Sequence, residues 1–465
     1  MENRKSNFSE WYNEIIDLAG LSDKRYPVKG MNVWLPYGLK IMQHIDTIIR
    51  RAVDSRGMQE VSFPLLITRD QLSVEFEHVA GFENEVFWVT RGGKQPLEVE
   101  MALRPTSEAA MYSMFPLWIR SHSDLPLRIY QIVNVYRYET KHTRSFIRIR
   151  EIHFFEAHTA HRDYEDAERQ MREYIDIWNE ITDALCLPYR IDRRPDWDKF
   201  PGAMYTLAFD TVMPGGRTLQ IGTIHQYGEN FSRNYGIVYD DERGEHHYVS
   251  QTTFGMSERL LAAVIGIHGD DQGLILPPDI APVQFIVVPI PSDRVDTLSF
   301  ARDVASRASA LGYRVRVDDR DNYTPGYKYN DWEMRGVPVR IEIGEREVSE
   351  GKVTLALRSI RGRRSFPLGE MQENLRKALA DVKEEIMRRA REHFLSMTVE
   401  LNDMKEARGK SGLVSTFWCG SKDCADALER EAELQVLGTV ENEKKRGRCV
   451  VCGQDGLLTT VGRPY

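Results

Sequence analysis

Four of the five cysteines in this chain, Cys419, Cys424, Cys449 and Cys452, fall within the last fifty residues, while Cys186 stands alone. Four residues separate the first pair and two separate the second. Five cysteines in 465 residues are too few for a disulfide framework. Two close pairs suit a tetrahedral thiolate site for zinc instead. Gly453 follows the second pair, where a glycine lets the backbone turn sharply beneath a metal. Four thiolates leave no open coordination position, so the ion they hold is structural and staples a unit too small to hold together by burial.

The remainder of the chain divides by texture. Its length exceeds one compact core and predicts two or three domains. The spacing of Met42, Ile45, Ile49 and Val53 predicts an amphipathic helix over 36–57, followed by a strand through Val61, Phe63 and Leu65. Residues 128–138 and 146–155 read as two hairpin strands joined by a basic connector, and 163–185 as a surface helix. Pro277, Pro278 and Pro282 then mark a break, beyond which strands alternate with helices, the pattern of a mostly parallel α/β sheet. We expect domains at 1–280, 281–390 and 391–465. The polar N-terminus and the lack of a long apolar run predict a cytoplasmic protein without a membrane span. A net charge of −8 does not announce a nucleic-acid binder, although local basic patches remain compatible with one.

No Gly-x-x-x-x-Gly-Lys-Ser/Thr loop or dinucleotide Gly-x-Gly-x-x-Gly is present, so a nucleotide must be held in another way. Arginines offer one. Arg137 and Glu139 have the spacing of one strand face, as do Arg148 and Arg150, and Arg259 opens an apolar helix through Leu260, Leu261, Val264 and Ile265. Taken singly, each arginine is as well explained by a surface ion pair. Together their forked, permanently charged guanidinium groups suggest a polyphosphate site.

These residues carry a family resemblance. Tyr136-Arg137-Tyr138-Glu139, a basic loop and Phe146 to Glu151 resemble motif 2 of the class II aminoacyl-tRNA synthetases; the helix and strand ending at Pro64 resemble motif 1, and Gly255 to Leu261 motif 3. Arg104-Pro105-Thr106-Ser107-Glu108 resembles the amino-acid loop of prolyl-tRNA synthetases, and residues 318–345 the class II anticodon-binding domain. The cysteine tail is similar to that of the archaeal and eukaryotic-like subtype. The fold implied is α+β: an antiparallel-sheet catalytic core, an α/β anticodon-binding domain and a small zinc-containing α/β domain.

The resemblance also implies roles. Arg137 grips the α-phosphate of ATP and the carboxylate of proline; Glu139 accepts from the adenine amino group; Arg148 and Arg259 bind the β- and γ-phosphates with bridging Mg2+. Gln220, Thr223 and Ser257 lie at the ATP site. Thr106 and Glu108 receive the proline ammonium. Phe154, Phe200 and His225 line its ring, and Glu156 and His158 brace that wall, whereas Phe155 reads as core. Two departures stand out: Ile152 occupies a position that is often aromatic in the family, and Phe154 replaces a frequent tryptophan. The partners implied are L-proline, ATP, tRNA(Pro) and a second copy docked through motif 1. For tRNA, Arg340, Glu342 and Arg346 are candidates on an edge strand, and the run from Lys444 to Arg448 a candidate phosphate contact.

The stretch between motifs 2 and 3 is too short for a hydrolytic domain, so editing of mischarged alanine is not expected. One methylene discriminates by only about 1–3 kcal/mol, which predicts misactivation of amino acids of similar size. Seryl- or threonyl-tRNA synthetases share the core; the latter would need a catalytic zinc, for which Cys186 has no obvious partners. A synthetase-like regulator that only binds tRNA, and a zinc-ribbon nucleic-acid binder, are the readings from other classes.

Overall fold

The computed structural model describes residues 4–76 and 82–465. One long sheet organises the chain. Its strands run in the order Gln59–Glu60, Leu127–Tyr136, Glu151–His161, Ser250–Ser257, Thr218–Gly228, Tyr205–Val212 and Arg190–Arg193, then Gln435–Val440, Asp455–Gly462, Leu413–Trp418 and Thr398–Glu400. All neighbours are antiparallel except the pair at each end.

Helices cover one face of this sheet. Tyr164–Leu185 starts where Asp163 accepts from the Asp166 N–H at 2.7 Å, with Glu165 and Asp166 adding negative charge to the first turn. It stops at Cys186, whose left-handed φ of 55° ends the ladder just before Pro188. Its inner stripe of Tyr174, Ile177, Trp178 and Ile181 is fully buried, and Trp178 stacks on Phe209 at 4.3 Å. Each such side chain is worth about 1.5–3 kcal/mol of burial. The helices Pro36–Asp54 and Arg259–His268 pack into the same core, so the first residue of the latter, Arg259, is delivered to the sheet surface.

Three expected strands are shorter or displaced. Val61 to Leu65 is not a strand; the chain pairs at Gln59–Glu60 and again at Leu66–Thr68, interrupted around Pro64, which has no N–H to donate. The first hairpin strand ends at Tyr136 and the second begins only at Glu151. Arg137, Glu139, Arg148 and Arg150 therefore sit beyond the ladder. The cause is a tight turn, with Arg144 bridged to Arg148 and Phe146 at φ 63°.

Beyond the proline break lies a five-stranded sheet, ordered Val315–Val317, Phe285–Pro289, Val339–Ile343, Lys352–Leu357 and Arg363–Pro367. The first three strands are parallel and the last two antiparallel. Arg340 and Glu342 thus lie on a central strand and not on an edge, because the antiparallel hairpin that follows covers that side. The cysteine tail is welded to the main sheet. Thr439 and Val440 pair with Arg193 and Asp192, and Thr460 donates to Asp192 at 2.6 Å.

Candidate active site

A cavity of 620 Å³ opens on the exposed face of the main sheet, and it gathers Thr106, Glu108, Arg137, Glu139, Arg148, Phe154, Glu156, His158, Phe200, Gln220, Thr223, His225, Ser257 and Arg259. These are all fourteen residues expected at the proline and ATP sites. They come from five separate chain regions because three adjacent strands, Glu151–His161, Ser250–Ser257 and Thr218–Gly228, form its floor.

At one end the guanidinium groups meet. Arg137 donates from Nε to the Pro105 carbonyl at 3.2 Å. Arg259 donates to the carbonyls of Ile147 at 2.9 Å and Gln220 at 3.3 Å. Burial pushes Arg259 down to about 10; Glu258 opposes the shift, and the charges of Arg137 and Arg148 add to it. Three cations held this close favour an anionic occupant. Arg148 is the bridged one: it donates to Glu139 at 2.8 Å and to the backbone oxygen of Tyr465 at 2.6 Å. Burial resists charge on Glu139, yet the Lys141 N–H and Arg148 hold its carboxyl below the usual range. Ser257 accepts from the Arg259 N–H at 3.3 Å.

The other end is closed and apolar, with a saturated polar floor. Phe154 leans over Gly255, where a Cβ would stand 3.0 Å from the ring, so only glycine leaves the ring this position. Phe155 points the opposite way into the core against Tyr130 and Phe254. Phe200 lies 4.9 Å from the His225 ring. Burial, with the His158 charge, lowers His225 to about 3, leaving a neutral ring whose Nδ1 is 2.8 Å from Thr206 Oγ1. Beneath, Glu156 accepts from Ser107, from Gln131 at 2.9 Å and from His158 at 3.2 Å, and Tyr112 meets His158 Nδ1 at 3.1 Å. Thr106 donates to Glu108. Burial works against charge on Glu156 and His158, but the hydrogen bond between them, with the Glu108 charge beside the imidazole, raises His158 and lowers Glu156. Glu108, Glu156 and His158 are close enough to ligate a metal. Each already has hydrogen-bond partners, which makes the group a buried polar network.

Sequence reasoning missed several residues that line the cavity. Arg194, Asp198 and Lys199 belong to a charged run with Trp197 between two strands, a loop signal left unused. Arg194 holds Asp210 at 2.9 Å and Gln220 at 2.8 Å, and so orients a nucleotide-site candidate. Thr206 and Thr253 carry no sequence signal beyond polarity in a buried strand. Arg104 does not face the cavity: its guanidinium is spent on the carbonyls of Asn134 and Phe63, which fixes the loop that carries Thr106 and Glu108. Arg340 is locked by Glu333 at 2.7 Å and Glu342 at 2.9 Å, while Arg346 pairs with Glu350 at 3.0 Å on the surface.

The four tail sulfurs lie within 4.8 Å of one another, and those of Cys419 and Cys452 are 3.7 Å apart. A tetrahedral zinc–thiolate site requires about 3.8 Å between sulfurs, so the donor set fits zinc in type, number and spacing. Gly453 adopts φ 73°, the turn that its place after the second pair implied. Cys186 is buried against the second sheet's core, remote from the cavity, and provides no ligand there.

The sequence matches the tRNA synthetase class II core domain (G, H, P, S and T) over residues 87–268 and the anticodon binding domain over 284–378. It is 63% identical over 465 residues to a proline–tRNA ligase of Thermoplasma volcanium, covering 100% of both chains. The structure matches that of Giardia lamblia prolyl-tRNA synthetase in complex with prolyl-adenylate, with a TM-score of 0.96 at 34% identity, covering 100% of this chain and 99% of the other. It also matches Cryptosporidium parvum prolyl-tRNA synthetase complexed with L-proline and AMP, with a TM-score of 0.92 at 30% identity, covering 100% and 96%. The chain therefore belongs to the proline–tRNA ligases, the prolyl-tRNA synthetases built on the class II core.

Proposed function

We propose that the cavity activates L-proline with ATP to prolyl-adenylate, releasing pyrophosphate, and then passes the prolyl group to the 3′ end of tRNA(Pro). The observation that carries this reading is the meeting of Arg137, Arg148 and Arg259 in one cavity with a closed, ring-walled end floored by Glu108. Proline arrives with an anionic carboxylate that attacks the α-phosphorus, so the reaction needs neither a general base nor a covalent enzyme intermediate. Positioning and charge stabilisation suffice. Arg137, between the two ends, holds the α-phosphate and the proline carboxylate in line. Arg148 and Arg259 take the outer phosphates of ATP, which brings Mg2+ with it as part of the substrate. Glu139 accepts from the adenine amino group, and Gln220, Thr223 and Ser257 complete the nucleotide side. Glu108 and Thr106 receive the secondary ammonium, while Phe154, Phe200 and neutral His225 enclose the ring. Glu156 and His158 hold the floor beneath them.

Cys419, Cys424, Cys449 and Cys452 hold a structural zinc, which ties the tail together when bound. The region matching the anticodon binding domain engages tRNA. A second copy docks at the helix Pro36–Asp54 and the neighbouring Leu65 and Leu66, which are about two-fifths exposed. Among the described residues no helix is long and apolar enough to cross a membrane. ATP–pyrophosphate exchange with each protein amino acid in turn tests the reading. Proline-dependent exchange is expected, with weaker exchange on alanine and cysteine; a flat panel would overturn it in favour of a protein that only binds tRNA.

A further inference from the structure

Tyr227 plays no part in the scheme above, yet it joins the two materials of the amino-acid end. It lies on the strand Thr218–Gly228, wholly buried, behind the cavity wall rather than on it. Its hydroxyl donates to Glu108 Oε1 at 3.0 Å and accepts from Thr253 Oγ1 at 3.0 Å. The other carboxylate oxygen of Glu108 accepts from Thr106. The Tyr227 ring is parallel to His225, 1° apart in plane with centroids at 6.0 Å, and lies 5.8 Å from Phe200. Burial, then the Glu108 charge, raises the phenol well above its ordinary range, so it keeps the proton it donates.

A carboxylate offers roughly four lone-pair sites. With one donor on each oxygen its plane is set, and the remaining sites point in fixed directions. A secondary ammonium brings two N–H groups in a rigid ring, whereas a primary ammonium brings three and rotates freely about its carbon. A fixed acceptor therefore favours the former more than a swinging one does.

We infer that Tyr227 is a positioning residue that sets the orientation of Glu108 against the His225–Phe200 wall and thereby sharpens selection of a secondary over a primary amino acid. The inference rests on the reading of Glu108 as the ammonium acceptor. Tyr227→Phe keeps the ring contacts and removes only the hydroxyl. In ATP–pyrophosphate exchange we expect the proline KM to rise about tenfold, the loss typical of one hydrogen bond to a charged group. The KM for ATP should stay within about twofold, and the alanine-to-proline ratio of kcat/KM should increase. Thr253→Val, which leaves Tyr227 bonded to Glu108 but frees its oxygen, should shift proline KM the same way by about threefold.

Thermal melting separates these effects from misfolding. If Tyr227→Phe melts early, Thr253→Val still decides the matter. An unmoved proline KM in a folded variant would overturn the inference, as would proline and ATP KM values rising together. A proline-dependent wild type with an unmoved variant removes the inference alone. A wild type without proline-dependent exchange removes the reading beneath it.

Discussion

The nucleotide end of the cavity is lined by guanidinium groups whose partners are mostly backbone carbonyls, whereas the amino-acid end is a closed set of saturated side-chain bonds. Among the described residues Arg137 and Arg259 pair with no carboxylate, whereas Arg148 pairs with Glu139. At the other end Glu156 has three donors and Glu108 has two. The difference follows from the ligands. A polyphosphate brings its own negative charge and is best met by cations left short of anions. A small zwitterion with an apolar ring is best met by a rigid shape in which few atoms remain to be satisfied.

The largest effect should come at the junction of the two ends. Arg137→Ala is expected to lower exchange by about a thousandfold, the scale of losing a group that acts on developing charge. The melting midpoint should change little, because the side chain gives up one carbonyl contact. Retention of activity within about tenfold would break the division of labour between the two ends.

A smaller effect should reach the nucleotide end from a distance. Arg148 donates to the Tyr465 backbone oxygen, and Tyr465 follows a strand of the cysteine tail. Removing the metal by chelation, or Cys449→Ser, should raise the ATP KM about fivefold and leave the proline KM within about twofold. Metal content and the melting curve, read on the same samples, establish that the site was emptied. Equal rises in both KM values would show that the tail supports the whole cavity and not one end of it.

The smallest effect concerns stability at the amino-acid end, and its sign depends on pH. His158 is raised from 6.5, so its contribution is full below that value and lost as pH rises through the raised value. Glu156 is lowered from 4.5, so its contribution is full above that value and lost as pH falls through the lowered one. The pair should stabilise most between these ordinary values. The melting difference between the wild type and His158→Gln, about 1–2 kcal/mol at most, should peak near pH 5–6 and shrink toward pH 9. A difference that grows with pH would show that the imidazole is neutral in the fold.

Much of the site was legible because its chemistry is carried by residue type at short range. Arg137 with Glu139, Arg148 and Arg259 stood out as charges beside apolar segments, and all reach the cavity. The cysteine pairs carried their geometry in their spacing. Less legible was anything that depends on which strands are neighbours. Arg340 reads as an edge residue until the hairpin that covers it is placed. Arg148 reads as a strand residue until Phe146 turns the chain. Arg194 and Thr253 are ordinary in sequence and enter the site only because their segments lie beside Gln220 and His225.

Periodicity placed the helix Tyr164–Leu185 unaided, since an amphipathic stripe is a local property of the chain. Residue type likewise announced a phosphate site and a thiolate site. Only the tertiary structure decided that the tail continues the catalytic sheet through Val440 and Asp192, and that Tyr227 stands behind Glu108. Both depend on contacts between residues more than a hundred positions apart. Such contacts are set by the packing of whole elements, and no local pattern encodes them.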